Sequence, residues 1–122
     1  MSDLTAASEN AAVGAIITAS TTYYLSLHTA DPTTTGASEV TGGSYVRQII
    51  QFGAAAGGVM TSTDAQAFTS MPSEGGNLYI GLWTASSGGT YKWGSPAVAV
   101  TGPVASGATV SFAIGAVTAT VS

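Results

Sequence analysis

One stretch limits what this chain can fold into more than any other: Asn77 to Gly94, NLYIGLWTASSGGTYKWG. Aromatic and β-branched residues fit a pleated surface, so Asn77 to Thr84 reads as a strand. Alternation sends Leu78, Ile80 and Leu82 to one face, and Tyr79, Gly81 and Trp83 to the other. A strand with large apolar groups on both faces has no wet side, which places it in the middle of a sheet. The Ser87-Gly88-Gly89 turn signal then returns the chain through Tyr91 and Trp93. Both tryptophans and two of the five tyrosines sit in this hairpin, so it is predicted to be the centre of the fold.

The flanking sequence supplies more short strands. YYLSLHTA, from Tyr23 to Ala30, alternates and is stopped by Asp31-Pro32, since proline cannot continue a ladder. A long polar loop, DPTTTGASEVTGG, leads to a second strand over Ser44 to Ala54. Val59 to Ser62, Ala65 to Thr69 and Ala97 to Val100 read as short strands, and Ala108 to Ile114 and Val117 to Ser122 alternate cleanly. Before all of these, Asp3 to Ile17 has a capping residue and an apolar stripe of Ala6, Val13, Ile16 and Ile17, predicting a helix. The expected fold is mainly β: a small antiparallel β-sandwich, jelly-roll-like, with one short N-terminal helix in residues 1–20 and strands over 21–122. All 122 residues read as a single domain.

Charge is scarce. Only 7% of residues are Asp, Glu, Lys or Arg, against about 25% in ordinary soluble domains. Ser and Thr, 33 of 122, supply the polarity instead. Charge is costly to desolvate, so this composition suits a surface covered by copies of the chain or by a larger assembly. A net charge of −4, with Arg47 and Lys92 the only permanent cations, argues against nucleic-acid binding. No run approaches the roughly 18 to 20 apolar residues of a membrane span, and no secretory signal pattern is present. The expectation is a protein made in the cytoplasm and not secreted through a signal peptide.

Little in the sequence resembles catalytic chemistry. The single histidine, His28, offers at most a Ser26, His28 and Asp31 set, but neighbours in one strand do not easily converge as nucleophile, base and orienter. It is read as a surface or interface histidine, and no catalytic residue is predicted. Without cysteine no thiolate metal site exists. Asp31, Glu39, Asp64 and Glu74 lie in or near loops without EF-hand spacing, so neither a metal nor a cofactor is predicted. The candidate interaction residues are Tyr79, Trp83, Tyr91, Trp93 and Arg47. Tyr91 and Trp93 suit either a sugar-stacking platform or packing in a core or interface. Arg47 calls for an acidic partner, Glu39 or Asp31, or for loop carbonyls to cap.

Three segments in order, YLSLHTADPTTTGASEVTGGSYVRQIIQFGAA, GGVMTSTDAQAFTSMP and LYIGLWTASSGGTYKWGSP, carry a resemblance. The strand ending in LHTADP, the GGSYxRQ strand start and the IGLWTAxxGG hairpin resemble a family of small tailed-bacteriophage virion structural proteins, often labelled tail fibre or minor tail proteins. The resemblance implies a virion location, partners among other phage structural proteins, and no catalytic residues. A fibre shaft needs coiled coil, repeats or an intertwined trimer, and this sequence has no such pattern. The first expectation is therefore a multi-copy capsid decoration or cementing protein, a trimer or other symmetric cluster that stabilises the particle. The second is a minor tail or tail-fibre-associated protein, with host-glycan binding as an option.

Overall fold

The computed structural model describes Gly14 and residues 16–120. Among the described residues eight strands follow one another: β1 (Tyr23–His28), β2 (Gln48–Ile50), β3 (Val59–Thr61), β4 (Gln66–Phe68), β5 (Tyr79–Trp83), β6 (Tyr91–Gly94), β7 (Val110–Phe112) and β8 (Thr118–Thr120). The Asn77–Gly94 hairpin lies where its two apolar faces require. The main sheet has the order β2-β1-β5-β6, so β5 is interior, and all its pairings are antiparallel.

The inner face of this sheet carries Tyr23, Leu25, Leu27, Ile80 and Leu82 into the core. Against them pack Phe52, Met60, Phe68, Met71, Phe112 and Val117, all from segments outside the sheet. Each fully buried leucine, isoleucine or phenylalanine contributes about 1.5–3 kcal/mol relative to an exposed one, which holds the two layers together. An aromatic run crosses the core: Tyr45 stacks on Phe68 at 5.9 Å, and Phe68 meets Phe112 edge-on at 6.3 Å.

The second layer corrects the jelly-roll expectation. Its strands form two separate ribbons, β3–β8 and β4–β7, not the second four-stranded sheet of a jelly roll. The strands of the ribbons are three residues long, too short to extend into one another. The segment expected as a strand over Ala97 to Val100 makes only an isolated bridge, Leu78 to Val100. The expected helix over Asp3 to Ile17 lies largely outside the described residues; Gly14 and Ile16 have helical backbone, and the helix is over by Ile17.

The second strand is also shorter than its alternation predicts. Ser44 to Ala54 pairs only over Gln48–Ile50. Before Gln48 the chain leaves the ladder, and Glu39 takes the place opposite His28 instead. Thr29 donates to the Ser38 carbonyl and Val40 to that of Leu27, so the 29–47 loop is laced to the C-terminal half of β1. The loop then folds over the outer face of the sheet, where the candidate site is found.

Candidate functional site

Antiparallel partners share a face, so the register alone places side chains. Ile49 lies opposite Tyr24, Tyr24 opposite Trp83, and Trp83 opposite Tyr91, making one row across all four strands on the outer face. A bulge between Leu82 and Trp83 admits Lys92 as an extra residue on β6. Its consequence is large. Tyr91 turns outward to meet Trp83 edge-on at 5.2 Å, whereas Trp93 pairs with Leu82 and packs against the core. The two rings, read as either a sugar-stacking platform or core or interface packing, lie on opposite faces of the sheet, and Trp93 packs against the core.

Arg47 joins this row from the loop. Its guanidinium carbon stands 3.9 Å from the centroid of the Trp83 ring. Nε donates to Glu39 Oε2 and Nη2 to Glu39 Oε1, both at 2.9 Å, a bidentate pair. Nη1 donates to the carbonyls of Ala85 and Gly88, again at 2.9 Å, which ties down the β5–β6 turn. Of the two partners foreseen, Glu39 is taken and Asp31 is not; Asp31 accepts from the Thr33 amide instead. The planar fork of arginine suits this site, because one group must reach a carboxylate, two carbonyls and an aromatic face together. The arginine side chain is 8% exposed and that of Glu39 22%.

Tyr45 completes the knot. Its hydroxyl donates to Glu39 Oε2 at 2.8 Å and accepts the Leu27 amide at 3.0 Å, filling the gap in the ladder left where β2 stops. Burial pushes the Tyr45 phenol far above its ordinary range. Burial alone would raise the Glu39 carboxyl, but its bonds from Arg47 and Tyr45 outweigh this and hold it below the ordinary carboxylate value. Tyr91, covered and near Asp31, is pushed up to about 12. Tyr45→Phe keeps the stack on Phe68 but leaves the Leu27 amide without its acceptor. It is expected to cost about 2 kcal/mol in denaturant unfolding.

Two glycines let the loop and the sheet approach. Gly36 has φ +72°, and a Cβ there would stand 2.6 Å from the Trp83 ring and 2.8 Å from Tyr91. Gly81, in the middle of β5, faces His28 and Ser26. His28, read from the sequence as a surface or interface histidine, is fully buried within the chain, because the loop caps the face it points to. Ser26 and His28 do converge, at 2.7 Å, since residues two apart share a strand face. The third member does not: His28 Nδ1 meets the Ala37 carbonyl at 2.7 Å instead of Asp31. Both Ser26 and His28 are 0% exposed, so no substrate reaches them.

Arg47, Trp83 and Tyr91 therefore come together, Tyr79 is half-buried on the same sheet face opposite His28, and Trp93 is on the far side. Sequence reasoning missed Ser26, Gly36, Tyr45 and Gly81 as members of this knot. A glycine inside a strand of large residues signals a close approach, and Gly81 carried that signal. An open groove of about 390 Å³ lies beside the knot, lined by Glu39, Val40, Thr41, Tyr45, Val46 and Ser87 among others. Elsewhere, two clefts of about 410 and 350 Å³ flank the 97–100 segment, and no charged side chain lines either. Val98 in the second of these is 44% exposed. Among the described residues no cluster of metal-ligating side chains occurs, and no helix is long and apolar enough to cross a membrane.

A family model described as Podophage GP4 fiber I protein gp80 matches residues 4–120 of the chain. No curated protein and no solved structure matches it.

Proposed function

Since this chain belongs to the podophage GP4 fiber I protein gp80 family, we propose that it is a non-enzymatic building piece of the phage fibre. It works by fitting against other virion proteins and against copies of itself. The family match is the observation that carries this reading, and it favours fibre association over the capsid-decoration role expected first. Nothing in the match points to the capsid.

The surface supports a packing role. The two clefts beside the 97–100 segment are walled by Ala, Val, Pro, Ile and Phe with hydroxyl residues between, and carry no charge to desolvate. Exposed Val46, Ile49, Val98 and Ile114 add apolar area beyond the core. Host-glycan stacking finds little support at the aromatic residues. Arg47 lies over the Trp83 ring, Tyr91 meets it edge-on, and Trp93 is turned toward the core.

Copy number and position in purified particles test the reading. Gold-labelled antibody is expected at the fibres, and particles lacking the protein should lose adsorption to the host. Labelling spread over the capsid, with loss of heat resistance and intact adsorption, would restore the decoration role.

A further inference from the structure

The main sheet has one edge that no described residue pairs with. At the β2 end the chain runs on into bonds with residues 61–63: the Gln51 carbonyl accepts from Thr63, and Gly53 donates to Thr61. At the other end β6 pairs only with β5, and all four of its residues are half-buried. Thr84 donates to the Thr90 carbonyl and Ser95 to that of Ile80, so Thr90 and Ser95 turn their backbone groups toward β5. Antiparallel pairs alternate in this respect, which sends the N–H and C=O of Gly94, and of Lys92 two residues before it, outward.

An open edge invites a further strand, and a lysine placed on it is a guard against wrong partners. Lys92 is such a lysine, and it has no ion-pair partner among the described residues. The anion nearest this edge is Asp31. It is exposed, and its carboxylate accepts only the Thr33 amide. Its neighbour Pro32 lies on Gly94, since a Cβ built on that glycine would stand 2.6 Å from Pro32 Cγ. A cation at Lys92 and an anion beside Gly94 therefore sit two residues apart along one edge.

We propose that β6 of one copy pairs antiparallel with β6 of a second copy across a two-fold axis at Trp93, joining the two main sheets into one. Lys92 then faces Gly94 of the second copy as a hydrogen-bonded pair, because both turn their backbone groups outward, and symmetry repeats the pair. The same register carries each ammonium toward the other copy's Asp31, so the guarding charge is met only by a matching edge. Trp93, half-buried with one side on the core, meets its own copy at the axis, and cross-strand aromatic pairs stabilise a sheet. Other registers fail. A slip of one residue sets outward backbone groups against inward ones, and a slip of two sets Lys92 against Lys92 or against Pro96, which has no N–H to give. The pairing rests on the reading above for copies meeting in the virion, and names the surface by which they meet.

Sedimentation of the purified protein from about 1 to about 500 μM tests the pairing. A reversible dimer is expected, in which the Gly94 amide gains protection from hydrogen exchange as concentration rises. Lys92→Asp and Asp31→Lys should each raise the dimer Kd about tenfold or more, because two attractive surface pairs become repulsive. The double variant, with the charges exchanged, should recover most of the affinity. Circular dichroism of each variant keeps loss of fold apart from loss of pairing. The proposal is overturned by a monomer at every concentration, by a dimer that neither reversal weakens, by a folded double variant no tighter than the single ones, or by a Gly94 amide that stays unprotected in the dimer. Failure of the fibre reading shows elsewhere, as label on the capsid, and a dimer that obeys the charge exchange would survive it.

Discussion

Gly81→Ala is expected to destabilise the protein by about 3–5 kcal/mol, combining overpacking with the loss of buried hydrogen bonds. The added methyl would stand 2.6 Å from His28 Nε2 and 2.8 Å from Ser26 Oγ, well inside contact distance. Neither atom can yield cheaply. Moving the imidazole breaks its bond to the Ala37 carbonyl, and moving the hydroxyl breaks its bond from Trp83. β5 cannot retreat either, because it is held by β1 on one side and β6 on the other. The check is a double-mutant cycle read by denaturant unfolding. In a His28→Ala background the contact with the imidazole is gone and only that with Ser26 Oγ remains, so the second substitution should cost less than it does alone. Additive costs would show that the clash is not with the histidine.

Arg47→Met should cost about 3 kcal/mol, about 10 °C in Tm for a chain of this size. Methionine keeps much of the side-chain volume, but the Glu39 carboxylate loses its bidentate partner and the turn carbonyls of Ala85 and Gly88 lose theirs. The lower end of the range for breaking a buried pair applies, because Glu39 is 22% exposed and regains some water. Arg47→Lys should recover only part of the loss. An ammonium restores the charge but cannot reach a carboxylate and two carbonyls at once. A second readout separates the ion pair from packing. Glu39 titrates below its ordinary 4.5 when folded, so it contributes stability that is present above that value and lost as pH falls through the folded one. Part of the acid destabilisation of the native protein should be missing in Arg47→Met.

The composition and pattern of the chain were enough for its class. Alternation with apolar groups on both faces put Tyr79–Trp83 in the interior of an antiparallel sheet, because such a strand has no side to offer water. Asp31-Pro32 marked the end of the first strand, and Arg47 called for an acidic partner, Glu39 or Asp31, or for loop carbonyls to cap. These are local consequences, fixed by neighbours a few residues away.

What escaped the sequence depends on separations of tens of residues. A one-residue bulge opposite Trp83 sends Tyr91 and Trp93 to opposite faces, and nothing in YKWG announces which strand will carry the extra residue. The burial of His28 needs a loop that lies over it, and that loop is drawn in by Arg47 reaching the β5–β6 turn some forty residues on. The second layer is two ribbons of three-residue strands, shorter than the alternating runs Ala65 to Thr69 and Ala108 to Ile114 that contain β4 and β7. Periodicity decides which side of a strand is apolar; only the assembled chain decides what covers it.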